Sequence, residues 1–346
     1  MAVTIYDVAR HAGVSPRTVS NVINDYPFVA AHTRQRVQDS IQVLGYSPNL
    51  TARNLRRGRT GMIALAVPEL AVPYFAELSG AVMEEVAGRS YTMIIEQTDG
   101  DPDRERKLLA DSERAQLFDG LIFSPLGLGA REVGSAAGSA PVVLLGERVS
   151  DGPFDHVTID NVAASRAVVA HLAGLGRTRI AAIGDQPYET GETAQFRTQG
   201  YLEGLEAACL PADRRLIVPT SSFHREAGAQ AMRELLRLRN PPDAVFCYND
   251  LLAAGAIRVL LTAGLRVPQD VAVAGFDDIE EGRYSTPTLT SLAPDKRRIA
   301  AMAVEQLFRR IEGGGGEPRV LQAPFALQAR ESTLGEAAAA PAQAPS

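Results

Sequence analysis

At 346 residues the chain is long enough for two or three domains with sizeable cores, and no run approaches the length of an apolar membrane span. Its net charge of −6 hides a split: residues 1–60 carry eight Arg and three Asp, giving +5, against −11 for the remainder. A basic head should meet phosphate, while the acidic body limits attachment to DNA elsewhere. The two cysteines, Cys209 and Cys247, lie in apolar contexts without metal-ligand spacing and read as reduced core or near-core residues. No charged-then-apolar leader precedes the first helix, so a cytoplasmic protein with no membrane partner is expected.

The head opens on a start–stop–start signal. Thr4 can cap a helix whose third residue, Asp7, favours the positive end of the macrodipole. Gly13 supplies the turn, since it enters positive φ without a Cβ penalty. Ser15 then caps a second helix with Pro16 at its first position, where a missing N–H costs nothing. This is the spacing of a DNA-reading helix pair. At about 100° per residue, Val19, Val22 and Ile23 fall on one face of the second helix and Arg17, Ser20, Asn21 and Asn24 on the other. Arg makes paired bonds to guanine O6 and N7, and Asn to adenine N6 and N7, so the polar face suits a major groove. A small amphipathic helix with a solvated side is the plainer reading.

A third helix follows from Val37, Ile41 and Leu44, with Gly45 ending it. Thr33, Arg34 and Arg36 near its start either hold phosphates or serve as cap and surface residues. Next comes Tyr46-Ser47-Pro48-Asn49-Leu50-Thr51-Ala52-Arg53-Asn54-Leu55: a Pro break, a helical turn or two and a basic link. Leu55, apolar within this basic run, is suited to wedge between base steps.

From residue 61 short apolar runs alternate with amphipathic segments. Strands are expected at Met62–Val67, Tyr91–Ile95, Leu121–Phe123, Val142–Leu145, Arg179–Ile183, Ala244–Cys247 and Val271–Ala274. Helices are expected at Phe75–Ala87, Arg104–Arg114, Asn161–Leu172, Ala194–Ala207, Ala227–Leu238 and Leu251–Ala263. The alternation argues for parallel sheets with right-handed crossovers, and the segment is too long for one doubly wound core, so two lobes are expected.

Ligands of such sheets lie beyond the carboxyl ends of the strands. There the sequence places Glu69, Tyr74 and Phe75, Glu147, Asn249 and Asp250, and Asp277 and Asp278. Acids, an amide and aromatics suit paired hydroxyls and an apolar ring face, as sugars or nucleosides present. Asp250 is expected to cap the next helix and Asn249 is equally fit to; Asp278 could serve a turn, and Tyr74 and Phe75 could simply pack into the lobe. Enzyme readings fare badly. There is no Walker A sequence, no glycine fingerprint after the first strand and no nucleophile elbow; the five His are scattered, and Gly313–Gly316 reads as a loop. No catalytic residue, cofactor or metal site is expected.

The opening Thr4-Ile5-Tyr6-Asp7-Val8-Ala9-Arg10-His11-Ala12-Gly13-Val14-Ser15, the Val19-Ser20-Asn21-Val22-Ile23-Asn24 segment and the hinge from Tyr46 to Leu55 make the chain, apart from its tail, resemble a bacterial transcription regulator of the LacI/GalR family. The resemblance implies an N-terminal all-α helix-turn-helix headpiece over residues 1–46, then a hinge helix and linker over 47–60. A two-lobed periplasmic-binding-protein-like α/β domain with parallel sheets, binding effector and dimerising, covers 61–335, and a disordered tail covers 336–346. It also implies that Pro16, Arg17 and Asn21 occupy base-reading positions, and that Ala52 and Leu55 lie on a hinge helix entering the minor groove. Pro16 departs from the polar or aromatic residue often found there and has no backbone donor, which leaves Arg17 and Asn21 as main readers. The candidate DNA contacts are Thr4, Tyr6, Ser15, Pro16, Arg17, Thr18, Ser20, Asn21, Asn24, Thr33, Arg34, Tyr46, Asn49, Ala52, Arg53 and Leu55.

Family positions for the effector fall on Tyr74, Phe75, Thr193, Arg197, Phe223, Asn249 and Asp277. Gly146 stands where some sugar-responsive members carry an acid, so Glu147 enters as that acid displaced by one residue. The chain is expected to cross between lobes near Thr158–Asn161, Pro287–Leu292 and Gln322–Ala326. The expected partners are a double-stranded, pseudo-palindromic DNA operator, a second copy of the chain and a small-molecule effector, a sugar first and a nucleoside or purine second, the whole acting as a repressor. A solute-binding module for uptake is the rival, but it calls for an export leader and no basic head. The tail lacks the leucine heptads of a tetramer tether, so a dimer is expected. Leu55→Ala should weaken operator binding by about tenfold or more while effector binding stands, in paired anisotropy and calorimetric titrations. Unchanged operator affinity would remove the wedge.

Overall fold

A computed structural model describes residues 3–23, 25–46, 59–110, 117–136, 140–147, 153–187 and 192–335. The expected contacts at Asn24, Asn49, Ala52, Arg53 and Leu55, and the expected tail, lie outside the described residues. The chain divides into two compact units, Met1–Gly61 and Met62–Ser346.

The first unit holds α1 (Ile5–Ala12), α2 (Pro16–Ile23) and α3 (Ala31–Leu44). Thr4 starts α1 with a reciprocal cap: its Oγ1 accepts from Asp7 N at 3.4 Å, and its own N–H donates to the Asp7 carboxylate at 3.0 Å. Gly13, at φ 61°, ends the helix in the left-handed conformation. Ser15 Oγ accepts from Thr18 N at 3.1 Å to start α2, and Gly45, at φ 60°, stops α3. Val8, Ala9, Ala12, Val19, Val22 and Val37 close a small core among the three helices.

The second unit is built on two six-stranded sheets. The strands are β1 (Met62–Val67), β2 (Thr92–Gln97), β3 (Gly120–Phe123), β4 (Val142–Leu145), β5 (Asp155–Thr158), β6 (Ile180–Asp185), β7 (Ile217–Pro219), β8 (Ala244–Cys247), β9 (Ala272–Phe276), β10 (Thr290–Pro294), β11 (Val320–Gln322) and β12 (Phe325–Gln328). The first sheet has order β11-β5-β4-β3-β1-β2 and is parallel throughout; the second has order β12-β10-β9-β8-β6-β7, with β12 alone antiparallel. Helices cover them: α4 (Pro73–Ala87), α5 (Pro102–Ala110), α6 (Ala130–Ala136) and α12 (Lys296–Ile311) on the first lobe, and α7 (Asn161–Gly174), α8 (Glu192–Ala207), α9 (Arg225–Leu236), α10 (Asp250–Thr262), α11 (Glu280–Tyr284) and α13 (Glu331–Leu334) on the second. The central strands are buried on both faces, which is why β1, β3, β4, β8 and β9 read as continuous apolar runs rather than alternating ones.

The chain crosses between lobes after Thr158, after Pro294 and after Gln322. The first and third crossings fall where the sequence placed them. The second comes later than the expected Pro287–Leu292, because Thr290 and Ser291 belong to β10 rather than to a turn. Both are wholly buried. Thr290 N donates to Ser332 Oγ at 2.8 Å, and Ser291 Oγ donates to the Asp250 carboxylate at 2.6 Å. Cys247 is buried in β8, where burial pushes its thiol above the usual range; Cys209, expected near the core, is instead exposed, at φ 55° after α8.

One charge cluster ties the late helix to the early sheet. Asp155, at the head of β5, is buried, and both its oxygens accept from Arg309 Nη2 at 2.9 Å. Arg310 Nε donates at 2.7 Å and Arg319 N at 2.9 Å. Burial opposes charge at this carboxylate, but the two guanidiniums and the backbone donor outweigh it and hold its pKa below the ordinary value. Asp155→Asn should cost roughly 3 kcal/mol, because two guanidiniums lose their anion while retaining some water. A fall in the urea midpoint at unchanged slope would register it. A loss under about 1 kcal/mol would mean that the sheet holds α12 without this clamp.

Candidate functional site

In the head, α2 turns Val19 and Val22 inward and leaves Arg17 exposed, with Ser20 and Asn21 half-buried beside it. Pro16 is half-buried at the first turn, and Tyr6 stands 66% exposed on α1. The hydroxyls of Thr4, Ser15 and Thr18 are engaged in caps, Ser15 and Thr18 meeting at 2.9 Å. Arg34 is committed within the head: it donates to the Asp25 carboxylate at 2.9 Å and to Tyr26 O at 2.8 Å, bracing the turn between α2 and α3. Thr33 Oγ1 lies 3.1 Å from His32 Nε2, and Tyr46 packs against the head core. The sequence reading passed over Phe28, which is 84% exposed on the same turn and meets Tyr26 edge to face at 5.5 Å. Nothing in its local pattern marked it as unburied.

In the body, a cavity of about 650 Å³ lies between the lobes at the carboxyl ends of the strands. All eight effector candidates line it: Tyr74, Phe75, Glu147, Thr193, Arg197, Phe223, Asn249 and Asp277. Tyr74 and Phe75 begin α4 and pack edge to face at 5.3 Å, so they start a helix and form a wall at once. Burial pushes the Tyr74 phenol above its usual range.

Glu147 joins the lobes. Its Oε1 accepts from Thr158 Oγ1 at 3.1 Å and Asn161 Nδ2 at 2.6 Å, and its Oε2 from Thr193 Oγ1 at 2.8 Å. Asn161 Oδ1 in turn accepts from Arg197 Nε at 2.9 Å, while Arg197 Nη1 donates to Tyr248 O. The guanidinium carbon sits 3.5 Å from the centre of the Phe276 ring, so that ring stacks beneath it. Arg197 is thus fixed on one edge and one face. Asn161 and Thr158, which complete the relay, were legible only as a lobe crossing.

Asp277 faces the same cavity, and among the described residues its carboxylate accepts no hydrogen bond. Its backbone is strained, at φ 109°, and Asp278 follows at φ 48°. The pair is pinned by Lys296, whose ammonium donates to both carbonyls and pairs with Glu77 at 2.9 Å, and by Arg283 and Arg330 on the Asp278 carboxylate at 2.8 and 2.6 Å. Burial raises the Asp277 pKa to about 7; Arg197 and Lys296 hold it back from rising further. Asn249, not Asp250, caps α10: its Oδ1 accepts from Leu252 N at 2.9 Å and its Nδ2 donates to Phe223 O at 3.0 Å. Asp250 is the first helical residue, buried, and accepts from Ser291 and Ile279 N, so the expectation that it caps the helix is corrected.

At the far side of the cavity His224 Nε2 lies 3.2 Å from Glu69 Oε2, a contact across the lobes. Glu105, wholly buried, accepts the N–H groups of Leu126, Gly127 and Leu128 at 2.8, 3.0 and 2.8 Å and so shapes a turn in the cavity wall. Among the described residues no cluster of His, Cys, Asp and Glu could hold a metal ion, and no helix is long and apolar enough to cross a membrane.

A family model described as bacterial regulatory proteins, lacI family, matches residues 4–49, and one described as a periplasmic binding protein-like domain matches residues 169–333. The HTH-type transcriptional regulator DegA of Bacillus subtilis (strain 168) is 34% identical over 338 residues, covering 96% of this chain and 98% of that protein. A transcriptional regulator CelR–cellobiose complex is similar at 32% identity and a TM-score of 0.69, covering 95% of this chain and 99% of that one. The lac repressor dimer bound to operator and the anti-inducer ONPF is similar at 26% identity and a TM-score of 0.82, covering 96% of this chain and 100% of that one.

The buried, raised carboxylate has a thermodynamic signature. A carboxyl whose folded pKa exceeds its unfolded value costs stability as pH rises from about 4 to 7, and the cost is level above that. Asp277→Asn should therefore stabilise the ligand-free protein relative to wild type by up to roughly 4 kcal/mol at pH 8, and by little at pH 4. Thermal melts of both proteins across that range would register it. An equal pH dependence in the two would mean that Asp277 is not buried as a carboxylate.

Proposed function

The chain belongs to the LacI family of bacterial regulatory proteins, and on that footing we propose that its head reads a pseudo-palindromic operator as part of a homodimer while its cleft takes a sugar that changes operator affinity. Arg17 and Asn21 read base edges in the major groove, and Leu55 opens a base step at the operator centre. The protein acts in the cytoplasm as a repressor and performs no chemistry on its effector.

The observation that carries the sugar reading is the presence of Arg197 and Asp277 in the wall of one cavity. A donor fork held on one edge stands near a buried carboxylate without a partner, and an aromatic wall lies alongside. Adjacent hydroxyls of a sugar satisfy both, donating to the carboxylate and accepting from the guanidinium, and the ring face covers Tyr74 or Phe75. The similarity to a cellobiose-bound regulator supports the same class. A purine nucleoside is the second reading, favoured by the three aromatic side chains at the cavity, Tyr74, Phe75 and Phe223.

The effector works through differential affinity. It binds the lobe arrangement that satisfies Asp277 and Arg197 together, and its leverage on the operator equals its preference for that arrangement over the other. The hinge is short enough that its helix depends on DNA and on its neighbours to form, so a small shift between lobes suffices to bias it.

The test is fluorescence anisotropy of the full chain on its own upstream intergenic DNA, at two salt concentrations, with a panel of sugars and nucleosides. The expected result is sequence-preferring binding that one sugar shifts, and that shift should weaken by about 100-fold in effector concentration in Arg197→Ala. A shift by nucleosides alone would favour the second reading, and no preference over random DNA would overturn the regulator.

A further inference from the structure

The width of the cleft can be read from the strands that end in it. Its lining runs in the first lobe from Glu147, after β4, to Asp99, after β2, and in the second from Asp277, after β9, to Ser222, after β7. Each range spans three steps between neighbouring strands. Neighbours lie about 4.8 Å apart, so the cavity extends roughly 14 Å from the Asp277 end to the far end. A single sugar ring with its hydroxyls, built from bonds of about 1.5 Å, spans roughly 6 Å. One ring seated on Arg197 and Asp277 leaves more than half the length unfilled.

That far half is furnished for a neutral polar group. The side chains of Gln186, after β6, and Ser222, after β7, line it, with Ser124, after β3, nearer the first ring, and among the described residues these three side chains make no hydrogen bond to another side chain or to the backbone. The carboxylates of Asp99 and Glu69 there already have partners. Asp99 is held by Arg104 and by Gln97, whose amide donates to it at 2.5 Å, and Glu69 faces His224 at 3.2 Å. Hydroxyls and an amide suit further hydroxyls, and among the described residues lining the cavity Arg197, at the other end, is the sole arginine or lysine, so a phosphate here would meet no such cation. Leu126, 45% exposed, adds the apolar surface that a ring face needs. Contacts also cross between the lobes along the cavity. The Glu69–His224 contact spans the lobes on the far side, and Glu280 N donates across them to Glu77 at 2.8 Å.

We infer that the effector is a disaccharide, with one ring on Arg197 and Asp277 and the second on Gln186 and Ser222. This rests on the sugar reading of the cleft and adds to it the size and neutrality of the ligand. Isothermal titration calorimetry of the full chain tests it, with a panel of glucose, galactose, mannose, fructose and xylose disaccharides, the free monosaccharides, their phosphates, and nucleosides. The expected result is a disaccharide binding at least about 100-fold more tightly than either of its component sugars. Gln186→Leu should weaken that disaccharide by about tenfold, with operator affinity in the absence of effector unchanged as the check on folding.

A monosaccharide that binds as tightly as the best disaccharide would overturn the inference and keep the sugar reading. A phosphorylated sugar as the tightest ligand would overturn the neutral far end. Binding by nucleosides alone would overturn the sugar reading and this inference together, and silence across the panel would overturn the inference. A disaccharide unaffected by both Gln186→Leu and Ser222→Ala would remove its second ring from the place assigned.

Discussion

A buried carboxylate that the described residues give no hydrogen-bond donor is unfavourable, and the cleft of this protein is arranged around keeping one at its wall. Asp277 sits on a strained backbone, its carbonyl and that of Asp278 pinned by Lys296 and the Asp278 carboxylate gripped by two arginines. Arg197 and Lys296 moderate its charge. Arg197 itself is placed by groups from both lobes: Asn161 at one edge, oriented by Glu147 from the first lobe, and Phe276 beneath. Moving one lobe against the other therefore disturbs a cation that acts on the open acid. A ligand that satisfies both gains energy from a local contact and, by the same contact, fixes the lobes.

This arrangement makes the fold's threefold crossing useful. The segments that pass between lobes lie at one edge of each sheet, around β5 and β11 in the first and β10 and β12 in the second. Glu147, Thr158 and Asn161 stand beside them, where a small rotation changes distances least and orientations most. Farther from this edge, His224 and Glu69 meet across the cleft. The Asp155 cluster then fastens α12, which returns from the second lobe, to the hinge-edge strand β5.

Much of this was legible in the sequence, for reasons that differ by element. The head helices declared themselves through caps, because Thr4, Gly13, Ser15 and Gly45 act on their immediate neighbours. The central strands did so through apolar runs that stay buried on both faces. What escaped depends on partners far along the chain. The β5 strand opens on Asp155 and His156, which look like loop residues until Arg309 and Arg310 neutralise the acid from more than 150 residues away. The β10 strand opens on Thr290 and Ser291, buried only because Ser332 and Asp250 bond them. Tyr74, Phe75, Glu147, Asn249 and Asp277 reached the cavity because strand ends are where a parallel sheet exposes side chains, whereas Thr193, Arg197 and Phe223 were legible only through the family resemblance. Asn161 escaped because its importance lies in linking Glu147 to Arg197, a relation no local pattern records.

The account turns on Asp277 being an open acceptor for ligand hydroxyls, and one measurement meets that directly. With the effector identified, its binding would be followed by calorimetry at pH 7 in two buffers of different ionisation enthalpy. Near pH 7 the carboxyl is partly protonated, and hydroxyls that donate to it draw its pKa down. The predicted result is release of a fraction of a proton on binding, absent in Asp277→Asn. Binding heats identical in both buffers, or proton release that survives in the variant, would contradict the account.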